Sequence, residues 1–273
     1  MELRELAKNI FLLVDIDQKA EKALQLAGDN PAYMALSLNT SRVWPDIVEP
    51  GRPSQPVLLS PRAMPKRVLN HVQGHATMMH AICHIEFNAI NLALDAIWRF
   101  PNMPAVFYND WAQVAAEEAK HFLMLRRHLQ SLPNNEQEPI LDYGSFPAHD
   151  GLWEMCHKTR HDLLARMALV PRTLEARGLD ATPIIQSKLR SVQTPWALEA
   201  LSILDVILAD EIGHVAVGNY WYRHLCQQQH LHPMQHYEHL LLQYKAPKIQ
   251  PPFNLTARRQ AGFSPEELTQ LSR

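Results

Sequence analysis

Cysteine is scarce in this chain: there are three, Cys83, Cys156 and Cys226, far apart and without a C-x-x-C pair. That spacing excludes a disulfide framework and a thiolate zinc or rubredoxin-type site, and it points to a reducing cytosol. Glycine is also sparse, 9 residues against 20 prolines. No apolar run approaches the roughly 18 residues that span a bilayer. The opening MELRELAKNIFLLVDIDQKAEK carries charges on both sides of a short apolar stretch. It reads as an amphipathic helix rather than a signal peptide. Neither sign of charge dominates: 26 Lys+Arg stand against 28 Asp+Glu, a net charge of −2. No global positive field advertises nucleic acid as a partner. The basic clusters Arg62/Lys66/Arg67 and Arg258/Arg259 read as solvated surface.

What the chain does have is length, apolar surface and an unusual pair of polar residues. At 273 residues, 47% of them hydrophobic, it can bury a real core as one large domain or two small ones. It carries fifteen histidines and sixteen glutamates. Those two residue types make nitrogen- and oxygen-liganded metal sites.

Proline sets the boundaries. Residues 44–66 hold six prolines and read as an extended wrap between a small N-terminal helical segment and the main body. The expected organisation is an N-terminal helix and wrap over 1–66, a helical body over 67–228, and a C-terminal wrap with a short helix over 229–273. Ser264-Pro265-Glu266-Glu267 announces that last helix as a capping box with proline at the first helical position. The body shows four long patterns of 3.6-residue period, at about 68–99, 109–130, 151–177 and 195–226. A shorter helix is expected from Thr182-Pro183 to about Val192. Alternating strand patterns are rare, so the fold class is all-α, a four-helix bundle with extra terminal helices.

The apolar stripes of these helices contain glutamates. A carboxylate on a core face costs several kcal/mol unless it is paired or coordinated. Three Glu-x-x-His tetrads occur: Glu118/His121, Glu154/His157 and Glu211/His214. Chance alone predicts about one, so number decides nothing. Context does. Ala116-Glu117-Glu118-Ala119-Lys120-His121-Phe122 and Ala209-Asp210-Glu211-Ile212-Gly213-His214-Val215 share one pattern. Each follows a helix with a lone Glu on its apolar face, Glu86 before the first and Glu175 before the second. The midpoints of these pairs fall at residue 102, within Pro101-Asn102-Met103-Pro104, and at residue 193, just before Thr194-Pro195. The chain therefore reads as a duplicated helical hairpin, each half giving Glu plus Glu-x-x-His.

Four carboxylates and two imidazoles are the ligand set of a two-metal carboxylate site. Glu86, Glu118, His121, Glu175, Glu211 and His214 are the expected ligands of two divalent ions, iron first and manganese second. Glu117 and Asp210, one residue before each ligand Glu, are candidate acceptors for the imidazole N–H groups. Glu154/His157 breaks the duplication and reads as a helix-start Glu with a chance His. His71, His75, His80 and His84 crowd the first helix and read as surface or inter-segment hydrogen bonding. The role of His149 stays open. Trp111 and Trp221 read as core packing. Pro171, four residues before Glu175, is expected to kink its helix.

At these residues the chain resembles the ferritin-like family catalogued as domain of unknown function 455. The phrases that carry the resemblance are His84-Ile85-Glu86, Ala89-Ile90-Asn91-Leu92-Ala93-Leu94-Asp95-Ala96 and Glu117-Glu118-Ala119-Lys120-His121-Phe122. To these add His149-Asp150-Gly151-Leu152-Trp153-Glu154, Leu174-Glu175-Ala176-Arg177-Gly178-Leu179-Asp180 and Asp210-Glu211-Ile212-Gly213-His214-Val215. The resemblance covers about residues 60–225, with similar phrases in the tail, and implies a ferritin-like fold. More distantly, the ligand pattern is similar to that of tRNA-modifying di-iron hydroxylases.

Three functions fit these readings. The first is a di-iron oxygenase or hydroxylase acting on an organic substrate, with an external electron donor. The second is a ferroxidase, iron-binding or peroxide-scavenging protein. The third is a metal-free scaffold or binding module. A homodimer and a cytoplasmic location are compatible with each; a membrane partner is not expected, and nucleic acid is unsupported.

Overall fold

The computed structural model describes residues 2–47, 49–64, 70–133, 137 and 139–271. Among them the chain is helical, with two isolated bridges, Glu2 to Ser37 and Leu58 to Ala148, and no strand. It divides into two compact units, Met1–Trp153 with Leu189–Ile203, and Glu154–Lys188 with Leu204–Arg273.

The first unit opens with α1 (Leu3–Phe11) and α2 (Ile16–Leu24), where one N-terminal helix was expected. Asp15 divides them by accepting from Gln18 N, an N-cap that starts a new helix. The short α3 (Pro31–Met34) follows. The described residues of the expected wrap, 44–47 and 49–64, form no α-helix and hold one 3₁₀ turn at Pro61–Ala63. Lys66 and Arg67 lie outside the described residues. The main pair is α4 (Val72–Arg99) and α5 (Ala105–Ser131). Asn102 turns the chain between them with φ 62°, a left-handed conformation that asparagine tolerates. The pair is antiparallel: Phe87 meets Phe122 with ring centres 5.4 Å apart, and His75 meets His128. From Glu86 to Trp98 every residue of α4 is buried, so this helix is covered well beyond a single stripe. Each large apolar side chain so buried contributes about 1.5–3 kcal/mol.

α6 (Gly151–Lys158) bridges the two units in sequence. The single helix expected over 151–177 is broken. Thr159 turns back on Met155 O, and Asp162 caps α7 (Leu163–Leu169) by accepting from Ala165 N. Residues Val170–Glu175 form a π segment, and α8 (Ala176–Arg190) continues from it. The expected kink at Pro171 therefore takes the form of a π bulge: proline has no N–H to give the preceding turn, and the ladder slips by one residue. The expected helix end near residue 177 and fresh start at Thr182-Pro183 do not occur. α8 runs through both, and the Leu179 carbonyl that Pro183 leaves without its helical donor accepts from Asn254 Nδ2 at 3.2 Å.

Gln193, with φ 52°, turns the chain into α9 (Pro195–Gln228). Arg172 bonds Asn219 and Gln186 bonds Asp205, so 172–188 and 204–219 run antiparallel within the second unit. α10 (Pro233–Gln243) and α11 (Leu255–Gln260) were not expected. α12 (Pro265–Leu271) has its capping box: Ser264 N donates to Glu267 Oε2 at 2.7 Å, and Glu267 N to Ser264 Oγ at 3.2 Å. Ala176, Leu179, Val215, Ala257, Ala261, Phe263 and Leu268 form a buried cluster of this unit. Among the described residues no helix is long and apolar enough to cross a membrane.

Candidate metal centre

In the first unit, α4 supplies Glu86 and α5 supplies Glu118 and His121. Spacing of three puts Glu118 and His121 on one face of α5. The antiparallel pairing across Asn102 brings Glu86 level with them. His121 Nδ1 lies 3.4 Å from Glu86 Oε2 and 3.5 Å from Glu118 Oε2. One ligand atom from each of the three falls within 4.8 Å of the others. Glu118 and His121 are fully buried and Glu86 is 4% exposed.

Burial first, and the Glu118 charge second, push the Glu86 carboxyl well above the usual carboxylate range. Burial works against a charge on His121, but Glu118 and Glu86 overcome it and raise the imidazole to about 11. Glu86 and His121 thus hold protons that a divalent cation would displace. Two carboxylates and one imidazole match a first-row divalent ion in both charge and donor type.

In the second unit, Glu175 ends the π segment, and Glu211 and His214 sit on α9. His214 Nδ1 lies 3.6 Å from Glu211 Oε1. Glu175 stands three residues in from the Arg172–Asn219 pair, level with Ala216 and so within about one turn of His214. All three are buried. This unit therefore repeats the residue types of the first, with the same Glu-x-x-His order. Gly218 makes the approach to Pro171 possible, because a Cβ there would lie 2.5 Å from the proline ring.

The other expected residues divide. Glu117 is half-buried and accepts from Gln113 Nε2 on its own helix, and Asp210 is half-buried. Glu154 is exposed, so its tetrad makes no buried pair. Trp111 and Trp221 are core residues. Arg258 is buried and paired with Asp180 at 2.6 Å, so it is no part of a solvated basic surface.

The histidines of α4 are not a surface feature. His80 accepts from Gly144 N, His84 bonds Tyr143 Oη and Asn88 Nδ2, and His75 bonds His128; only His71 is exposed. Inter-segment hydrogen bonding is what holds them. His149 Nδ1 accepts a long bond from Gly151 N, 3.4 Å. Sequence reasoning missed the partners His128, Tyr143 and Glu199, since no local spacing links them to α4.

Fold and site define an all-helical protein with a buried carboxylate–imidazole cluster suited to metal. Residues 13–269 match the model of the family described as protein of unknown function (DUF455), and the chain belongs to that family. It is 46% identical over 223 residues to an uncharacterised protein of Haemophilus influenzae, covering 79% of this chain and 74% of the relative. No solved structure matches it.

Proposed function

We propose that the protein is a ferritin-like dinuclear metal carboxylate protein with oxidoreductase chemistry. In this reading α4, α5, the α7–α8 segment and α9 form the four-helix bundle. Glu86, Glu118 and His121 hold one divalent ion, and Glu175, Glu211 and His214 a second, iron before manganese. The observation that carries it is the buried Glu86–Glu118–His121 cluster. Like charges without water repel, and a cation removes the repulsion. The second unit offers the same donor set, which doubles the stoichiometry.

A pair of ferrous ions held by these residues would supply the reduction of O2 coupled to oxidation of an organic C–H bond, with electrons from an external donor. The chain's own contribution is to hold four carboxylates in a water-poor interior and to fix the two imidazoles. Glu117 and Asp210 are assigned to the second of these tasks.

Metal analysis of protein prepared without chelator tests the reading. About two iron or manganese ions per chain are expected, and Glu118→Ala should lower the count. Iron-loaded protein should consume O2 when given a reductant. No bound metal and no uptake on reconstitution would overturn the metal centre. Metal without O2 consumption would overturn the oxidoreductase assignment alone.

A further inference from the structure

Consecutive residues of the π segment are each held from outside it, within the second unit. The Pro171 ring fills the notch left by Gly218 of α9. The Arg172 guanidinium bonds Asn219 of α9 and pairs with Glu267 of α12. The Thr173 hydroxyl donates to the Ala168 carbonyl at 2.7 Å and lies 2.8 Å from Tyr237 Oη of α10. A hydroxyl has one proton, so Thr173 gives its own to Ala168 and accepts that of Tyr237. Pro171, Arg172 and Thr173 are all buried.

The bond to Ala168 belongs to the π turn. In an α-helix a threonine hydroxyl reaches the carbonyl three or four residues back. Ala168 is five residues back, and it comes within reach because the turn holds one residue more. Pro171 adds to the bias, since it has no N–H for the Met167 carbonyl. Each residue of an α-helix turns the chain by about 100°. The extra residue therefore sets the direction in which the end of the segment points, and Glu175 is its last residue.

We propose that Thr173, held by Tyr237, is a positioning residue: its hydroxyl keeps the π turn open and so aims the Glu175 carboxylate at the second divalent ion. Thr173 acts through Glu175 and not on the ion. The C-terminal helices gain a task by this: α10 clamps the π turn through Tyr237, and α12 through Glu267 on Arg172. The proposal rests on the reading of Glu175 as a metal ligand.

The test compares Thr173→Val, Thr173→Ser, Tyr237→Phe and the ligand control Glu175→Gln with wild type, all as full chains. Valine keeps the shape of threonine without the hydroxyl, and serine keeps the hydroxyl without the methyl. One readout is Mn2+ bound at equilibrium dialysis after chelator treatment. The other is deuterium uptake over residues 168–176 in the metal-free protein. Wild type and Thr173→Ser should bind about two equivalents. Thr173→Val should keep one and hold the second about tenfold or more weakly, with Tyr237→Phe moving the same way. Deuterium uptake should rise in Thr173→Val and Tyr237→Phe but not in Thr173→Ser. Wild-type Mn2+ binding or unchanged uptake in Thr173→Val would overturn the proposal. So would an equal loss in Thr173→Ser, which would assign the effect to packing, or loss of both equivalents in Thr173→Val. If Glu175→Gln keeps both equivalents, or wild type binds none, the metal reading of Glu175 falls, and the role proposed for Thr173 with it.

Discussion

The Nε2 atoms of His75 and His128 lie 2.7 Å apart in fully buried rings, and His128 Nδ1 faces the Glu199 carboxylate at 3.1 Å. One geometry satisfies this chain. His128 gives its Nδ1–H to Glu199, its Nε2 accepts, and His75 donates through Nε2. Both rings are then neutral. Burial first and His128 second bring the His75 pKa down to about 3. The unfolded chain protonates His75 near 6.5 while the folded chain does not, so stability falls as pH drops from about 6.5 toward 3. The expected contribution is about 1.4 kcal/mol per pH unit in that window. His75→Gln should therefore show a shallower loss of denaturant midpoint between pH 6.5 and 4 than wild type. Equal slopes would contradict the neutral assignment. Glu118 allows a second prediction at this scale. Without metal, Glu118→Gln should change stability little, because it relieves the charge that pushes Glu86 up but also removes the acceptor that holds the proton on His121. With metal, the same change should lower the melting temperature relative to wild type, since binding energy is lost.

Proline accounts for two of the places where the helices depart from the expected pattern. At Pro171 the ladder slips into the π segment, and Gly218 receives the proline ring. Gly218→Ala would put a methyl 2.5 Å from that rigid ring. We expect a cost of about 1–3 kcal/mol, read as a lowered denaturant midpoint with an unchanged slope. At Pro183 the helix continues because Asn254 serves the Leu179 carbonyl and, through Oδ1, caps Ala257 N at 3.2 Å. Asn254→Ala should cost about 1–2 kcal/mol. In a Pro183→Ala background, where the helix can supply its own donor, the cost should shrink in a double-mutant cycle. Three of the four long helices, the capping box of α12 and both turns, at Asn102 and Gln193, were legible in the sequence. Periodicity and caps are properties of near neighbours. The continuity of α8 was not legible, because Asn254 lies 75 residues from the carbonyl it serves.

In each unit a buried arginine ties distant segments together. Arg4 donates to the Ile97 and Trp98 carbonyls at the end of α4 and to those of Asn39, Thr40 and Arg42 in the wrap. It answers the acceptors that a helix C-terminus leaves open and fixes the proline-rich segment to them. In the second unit Arg172 bonds Asn219 and pairs with Glu267 of α12, beneath the rings of Tyr222, Tyr237 and Phe263. Arg4→Met should cost about 3 kcal/mol or more, by stranding five carbonyls. It should also bring early proteolytic cleavage within residues 36–60, seen by mass spectrometry of limited digests. Unchanged protection would show that the wrap is held by other contacts.

The sequence by itself determined the helical class, the doubled order of Glu and Glu-x-x-His, and the turns that fold each hairpin. These follow from spacing along one chain, where a period of 3.6 converts position into face. Only the tertiary structure decided that the α4 histidines are buried partners rather than surface, that Glu154 is exposed, and that two arginines hold the wrap and the tail. Those outcomes depend on hydrogen bonds between residues 35 to 95 apart, whose pairing no local pattern encodes. A buried polar group must find its partner wherever the fold brings one.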